Sequence, residues 1–282
     1  MFNWKHNNMI LIVASNKDTG SLNIKKQILS NYQFSEKPET FESNPIHEIR
    51  ISDKLVRLVT LNDESVYAQN LPNYFMDLEL VIFISRHSSL SGTPTLSVHA
   101  PGNLGEAELG GLPRKVSVSP ANAMREALLT MMRGKEQTKL EYEVCYEGTH
   151  HGPSLDVPTM FAELGSRPQQ WNDVEAAWIV ANSTMNAIMR FGDHKTRVAL
   201  GIGGPHYNPK FTRMAMEEGF AFGHIIPKYA IAKINSAILR QCIERTMEKV
   251  EMIILDWKGI KGEDKEALVD LLEDVHTPFE KV

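Results

Sequence analysis

Two adjacent histidines, His150 and His151, stand between a strand-like run ending at Tyr146 and the turn Gly152-Pro153. An extended run carrying one carboxylate, Glu163, follows. Imidazole and carboxylate are the side chains that bind divalent metals and move protons near neutral pH. A second stretch is Gly201-Ile202-Gly203-Gly204-Pro205-His206-Tyr207-Asn208-Pro209. It ends a strand in glycines and opens a helix, with Asn208 as N-cap and Pro209 at the first helical position. The first amides of a helix lack internal partners and sit at the positive end of its dipole. The turn is therefore expected to receive a phosphate or a developing oxyanion, with Gly203 and Gly204 letting the ligand approach the backbone. The plainer reading is that these glycines only make a tight turn.

His99 and His224 extend the set of histidines near strand boundaries, and Asp156 is a further carboxylate. The expected site takes His151, Glu163 and His206 as catalytic groups and His150, His151, His206 and His224 as metal ligands. Gly203, Gly204, Asn208, His99 and Lys228 are assigned to substrate or anion binding. Zinc suits imidazole with carboxylate, and a catalytic zinc keeps one position open for water. Successive residues on a strand point to opposite faces, so His150 and His151 share a site only if Gly152-Pro153 bends the chain. For any one histidine the competing reading is a hydrogen-bonded structural residue, and that reading is strongest for His224. Three chemistries are disfavoured by missing patterns. There is no H-E-x-x-H helix of a zincin protease and no G-x-S-x-G elbow, and Pro205 and His206 interrupt a dinucleotide glycine motif.

The elements that must hold these residues read as alternating strands and helices. Met9 to Ala14 and Leu80 to Ile84 are continuous apolar runs, as in strands buried on both faces. A helix is expected from about Ser21 to Tyr32, and extended segments over Ile46 to Ile51 and Leu55 to Leu61. Ser85 to Asn103, with Arg86, His87 and His99, reads as one long polar loop. Ser119-Pro120 opens a helix that Gly134 can close. Lys139 to Tyr146 alternates as a half-buried strand. Asn172 with Glu175 resembles a capping box before an apolar-faced helix. Val198 to Ile202, Ala221 to Ile226 and Met252 to Leu255 are strands. Ser236 to Val250 and Lys265 to Val275 are helices. The expected architecture is a three-layer α/β/α sandwich with a mixed sheet, as a polar extension over residues 1–8 and a single domain over 9–282.

At 282 residues with 42% hydrophobic content, the chain can bury a large core without staples. A net charge of −5 argues against non-specific coating of DNA, although not against a local basic groove for one RNA. Cys145 and Cys242 are far apart and read as buried thiols in a reducing compartment. No apolar run reaches the ~20 residues of a membrane span, so a cytoplasmic protein with no membrane contact and no obligate protein partner is expected.

From about Met9 to Val275 the chain resembles the archaeal and plant type of D-aminoacyl-tRNA deacylase. The stretches that carry the resemblance are Ile12 to Asp18, Gly148 to Pro153, Phe161 to Ser166, Gly201 to Tyr207 and Gly223 to Tyr229. The resemblance implies hydrolysis of the ester between a D-amino acid and the tRNA 3′ end, and zinc dependence. It also implies an α/β core similar to peptidyl-tRNA hydrolases and phosphorylases, and plant relatives point to removal of aldehyde-modified D-aminoacyl adducts. Two rivals are a zinc-dependent ester or amide hydrolase of small substrates and a non-catalytic tRNA-binding protein with a structural metal.

Overall fold

The computed structural model describes residues 9–193 and 196–282; the extension expected over 1–8 lies outside the described residues. The larger of two sheets is built from β1 (Met9–Ser15), β2 (Ser35–Phe41), β3 (Asn44–Ile51), β4 (Lys54–Leu61), β5 (Leu78–Ser88), β6 (Thr95–His99), β7 (Glu143–Glu147) and β8 (Thr159–Ser166). The smaller sheet contributes β9 (Arg197–Gly203), and the short β10 (Tyr207–Asn208) returns to the edge of the larger one. β11 (Phe220–Ile226), β12 (Met252–Asp256) and β13 (Phe279–Lys281) complete the smaller sheet. The larger sheet runs β10-β7-β6-β8-β5-β1-β4-β3-β2 and is mixed, as expected. The smaller, β11-β9-β12-β13, is wholly parallel, and a second sheet was not anticipated from the sequence.

Strands β1, β5 and β8 are parallel neighbours whose residues are buried nearly throughout, which is why their sequences read as unbroken apolar runs. Helices α1 (Thr19–Asn31), α2 (Ala121–Thr138), α3 (Pro168–Trp171) and α4 (Val174–Met189) belong with this sheet, while α5 (Pro209–Glu217), α6 (Ser236–Glu244) and α7 (Lys265–Val275) follow in the second half. Gly134 does not end α2. A Cβ there would lie 2.9 Å from Ile179, so the glycine lets α2 and α4 pack closely in mid-helix. The cap of α4 is Asp173, whose side chain accepts from the Glu175 and Ala176 amides, rather than Asn172.

The expected long loop after β5 is also revised. β5 continues to Ser88, and β6 occupies Thr95–His99, because Arg86, His87 and His99 find partners inside the fold despite their polarity. Among the described residues no helix is long and apolar enough to cross a membrane.

Candidate active site

The site is laid out on one face of the larger sheet. In register, Glu163 of β8 lies between Ser85 of β5 and Ser97 of β6, and Phe161 lies between Phe83 and His99. β6 runs antiparallel to β8 while β7 runs parallel to β6. The C-terminal residues of β6 and β7 are thereby brought beside the first half of β8. The cluster thus gathers where β6 and β7 end, at His99 and Glu147, and beside His87 near the end of β5.

Glu163 is 4% exposed and accepts a hydrogen bond from Ser85 Oγ at 2.7 Å. His99 Nε2 lies 3.6 Å from one of its oxygens and His87 Nδ1 3.4 Å from the other. His87 Nδ1 also lies 3.2 Å from Glu147 Oε1, so one imidazole bridges two buried carboxylates. The second oxygen of Glu147 faces His206 Nε2 at 3.0 Å and His150 Nε2 at 3.8 Å. His206 Nδ1 is 3.0 Å from the Tyr229 hydroxyl.

Both adjacent histidines reach this cluster, with ring centroids 4.2 Å apart. His151 takes φ +37°, which breaks the strand alternation that would have sent the rings to opposite faces. The segment is held by main-chain bonds: Thr149 N donates to Ile225 O at 2.8 Å, and Gly102 N to His151 O at 2.7 Å. His150 Nδ1 contacts Gly148 O at 2.9 Å and His151 Nδ1 contacts Gly152 O at 2.7 Å. A carbonyl can only accept, so both Nδ1 atoms carry the proton and both Nε2 atoms present lone pairs. That is the tautomer of metal-ligating histidine.

Burial would strip the proton from His87, but the charges of Glu147 and Glu163 reverse this and raise it to about 11. Burial likewise opposes protonation of His99, and contact with Glu163 outweighs it. Burial works against ionisation of Glu147 and Glu163 too, yet the histidines around them hold both carboxyls well below the usual range. Burial, with the nearby His151 and His99, pushes His150 well below its ordinary value, and burial with His99 pushes His151 down to about 4. The floor of the site is thus ionised, while the two histidines above it stay neutral and available as ligands.

Three sets of side chains are spaced to hold a metal ion: His99 with His150 and His151, Glu147 with His150 and His206, and His87 with Glu147 and Glu163. Both ring nitrogens of His99 and the Nε2 of His87 are buried without a hydrogen-bond partner. A neutral Nε2 lone pair of His150 facing a carboxylate oxygen is a donor arrangement that a divalent cation satisfies. The residues present therefore fit a metal, with His150 common to two of the sets.

His224 is not part of this cluster. It is fully buried, with Nδ1 3.1 Å from the Thr149 hydroxyl and Nε2 3.2 Å from Ser117 O. The Thr149 hydroxyl also accepts from Ile225 N. Both ring nitrogens are therefore engaged, and the residue braces the loop that delivers His150. Burial lowers His224 from 6.5 to about 4. The folded protein keeps it neutral, whereas the unfolded chain takes up a proton as pH falls below 6.5. Its contribution is intact above pH 6.5 and is lost as pH falls towards 4, by at most about 3 kcal/mol. Urea midpoints should fall more steeply between pH 7.5 and 4.5 for the wild type than for His224→Gln; equal slopes would contradict this role.

The glycine turn is likewise filled by the chain itself. Gly203 and Gly204 have φ of +103° and +74°, and a Cβ on Gly204 would meet Asn208 Nδ2 at 2.6 Å and Asp256 Oδ2 at 2.9 Å. The Asn208 carboxamide accepts from Phe211 N and donates to Gly203 O. Lys210 pairs with Asp256 at 2.6 Å. A carboxylate and a cap already occupy the place expected for an anion, so the turn serves to hand His206 to Glu147. Lys228 is exposed, and its amide donates to Gly204 O. Asp156 pairs with Lys115 and Arg245, away from the histidines.

Glu147 and His87 are the residues that sequence reasoning left without a role. A signal existed: β7 buries Cys145 and Glu147 on the face opposite Val144 and Tyr146, and a carboxylate at a doubly buried position requires partners. Asp18, at the N-terminus of α1, accepts from Ser21 N and Arg86 N, and burial raises it to about 6.

Over the cluster opens a cavity of about 570 Å³, lined by His150, His151, Glu163 and His206 and walled by Phe161 and Tyr67. Ionised carboxylates and neutral imidazoles at the base of a cavity on an α/β sheet define a metal-capable acid–base site of hydrolytic type. The model of the D-aminoacyl-tRNA deacylase family matches residues 74–280. The D-aminoacyl-tRNA deacylase of Thermococcus onnurineus is 38% identical over 96% of this chain and 99% of its own. That of Pyrococcus abyssi is 38% identical over 97% and 100%, and that of Methanosarcina barkeri 36% over 94% and 87%. A crystal structure described as a conserved protein of unknown function superposes with a TM-score of 0.86 at 30% identity, covering 98% of this chain and 96% of the other. The chain belongs to the D-aminoacyl-tRNA deacylase family.

Proposed function

We propose that this protein hydrolyses the ester joining a D-amino acid to the 3′ end of tRNA, releasing free D-amino acid and uncharged tRNA. Full-length similarity to proteins named for that activity carries the reading, and the buried histidine–glutamate site supplies chemistry suited to an ester. We assign zinc to His99, His150 and His151, since three imidazoles are a common catalytic zinc set and binding of the ion would displace the proton that Glu163 otherwise favours on His99. When bound, the ion would polarise the ester carbonyl and lower the pKa of water.

The chain's own groups do the rest. Glu147 holds the Nε2 proton of His206, which makes Nδ1 the basic atom of that ring. The Tyr229 hydroxyl, 3.0 Å from His206 Nδ1, passes its proton to that nitrogen while taking one from the attacking water as the water oxygen bonds to the carbonyl carbon, and the same relay runs in reverse to protonate the ribose oxygen as the C–O bond breaks. Glu163 and His87 fix the charge of the floor. Phe161 and Tyr67 enclose the amino-acid side chain and exclude bulk water.

The pure protein should release D-tyrosine from tRNA and leave the L-ester intact. A chelator should lower the rate by roughly 100-fold or more, with zinc restoring it. His150→Ala should lose the metal, measured by elemental analysis, and a similar factor in rate, with little change in Tm because its side chain is 28% exposed. Equal hydrolysis of D- and L-esters would sink the substrate assignment. Full activity in a metal-free protein would sink the zinc assignment.

A further inference from the structure

Two cavities meet at the His150–His151 segment. Besides the larger one, a second of about 230 Å³ is lined by Thr149, His150 and His151, Tyr229, Lys233 and the loop from Gly102 to Leu109. His150 and His151 line both. An ester held at these histidines has two halves, so each cavity receives one. We propose that the second cavity is the subsite for the 3′-terminal nucleotide of the tRNA, with Tyr229 stacking on the base and Lys233 meeting the adjoining phosphate. This assignment rests on the D-aminoacyl-tRNA reading above.

Charge decides which half goes where. At the larger cavity Arg86 is engaged by Glu64 at 2.9 Å and lies 3.9 Å from Asp18, so its charge is already compensated there. A polyanion gains nothing by entering on that side. At the smaller cavity Lys233 is exposed, and Arg114, also exposed, spends one guanidinium nitrogen on the Lys233 carbonyl. Lys228 precedes Tyr229 and is exposed as well. None of the three lies in an ion pair among the described residues, and together they provide the phosphate contacts that position an RNA end. Tyr229 is 51% exposed, with its hydroxyl tied to His206. The ring is thus anchored at its hydroxyl and half exposed, which leaves area for a base to stack. Glu106 and Glu108, also on the lining, are acceptors for ribose hydroxyl or base amino protons and keep the phosphate on the Lys233 side. The larger cavity, with Phe161, Tyr67 and Leu109, is left for the amino-acid side chain.

The test is binding of uncharged tRNA, intact or lacking its terminal nucleotide, to the full chain. Intact tRNA should bind on the order of tenfold more tightly than truncated tRNA. Lys233→Glu and Tyr229→Leu should each remove most of that difference, whereas Lys26→Glu, on the exposed side of α1, should retain it. Circular dichroism of each variant checks that it is folded. Equal binding of the two RNAs by the wild type, or a difference that survives in folded Lys233→Glu and Tyr229→Leu, overturns the subsite. A wild type that prefers intact tRNA yet releases no D-amino acid would overturn the enzymatic reading and leave the nucleotide subsite standing.

Discussion

Replacing Glu147 by alanine is expected to abolish deacylation and to cost about 3–5 kcal/mol of stability, the usual penalty for removing one partner from a buried charged network. The carboxylate is 1% exposed and is the shared partner of His87, His150 and His206. Without it, the charge on His87 loses its first counterion and His206 loses the acceptor that fixes its tautomer. Glu147→Gln separates the two effects. The amide keeps the volume and an acceptor for His206 but leaves His87 with Glu163 as its counterion, so the Tm should recover only part of its loss. The negative charge is gone, so kcat should still fall by roughly 100- to 10,000-fold. Thermal melts and single-turnover deacylation of both variants decide the matter. A Glu147→Gln protein with wild-type turnover would remove the carboxylate from the chemistry and leave it a packing role.

Gly204→Val should unfold the protein rather than weaken its grip on substrate. The new Cβ would sit 2.6 Å from Asn208 Nδ2 and 2.9 Å from Asp256 Oδ2, at a φ of +74° that valine avoids. The Asn208 carboxamide caps α5, and Asp256 pairs with Lys210, so neither can move aside without losing its own bond. A loss of about 3 kcal/mol or more follows from the strained backbone and the broken cap together. Urea denaturation should show a large fall in midpoint, and the fraction that remains folded should deacylate at the normal rate. A well-folded variant with impaired substrate binding would restore the anion site that the sequence suggested.

These two expectations also mark where sequence reading succeeded and failed. The residues themselves were legible: His150, His151, Glu163 and His206 were singled out by type and by their place beside strands, and the structure gathers all four around one cavity. The Asn208-Pro209 helix start was legible because capping is local chemistry, written within a few residues. The apolar runs of β1 and β5 were legible because a strand buried on both faces has no polar alternation to obscure it. Local signals misled where a residue's meaning depended on a distant partner. Gly134 reads as a helix terminator, yet it is a contact point for Ile179. Asn208 and the glycines before it read as an open cradle, but Asp256, from a strand near the end of the chain, fills it.

By itself, then, the sequence determined the α/β class, the family and the group of histidines and carboxylates from which the site is drawn. The tertiary structure decided which of them meet. Glu147 is the hub only because β7 lies two strands from β8 across β6, an order no local pattern encodes. His87 is a charged bridge only because β5 places it between two carboxylates. His151 joins His150 because φ +37° is stabilised by bonds to Gly102 and Gly152, and His224 is excluded because Thr149 and Ser117 occupy both its nitrogens. Charge compensation and hydrogen bonding between residues far apart in the chain are properties of the folded arrangement, and they separate a ligand from a brace among histidines that look alike in sequence.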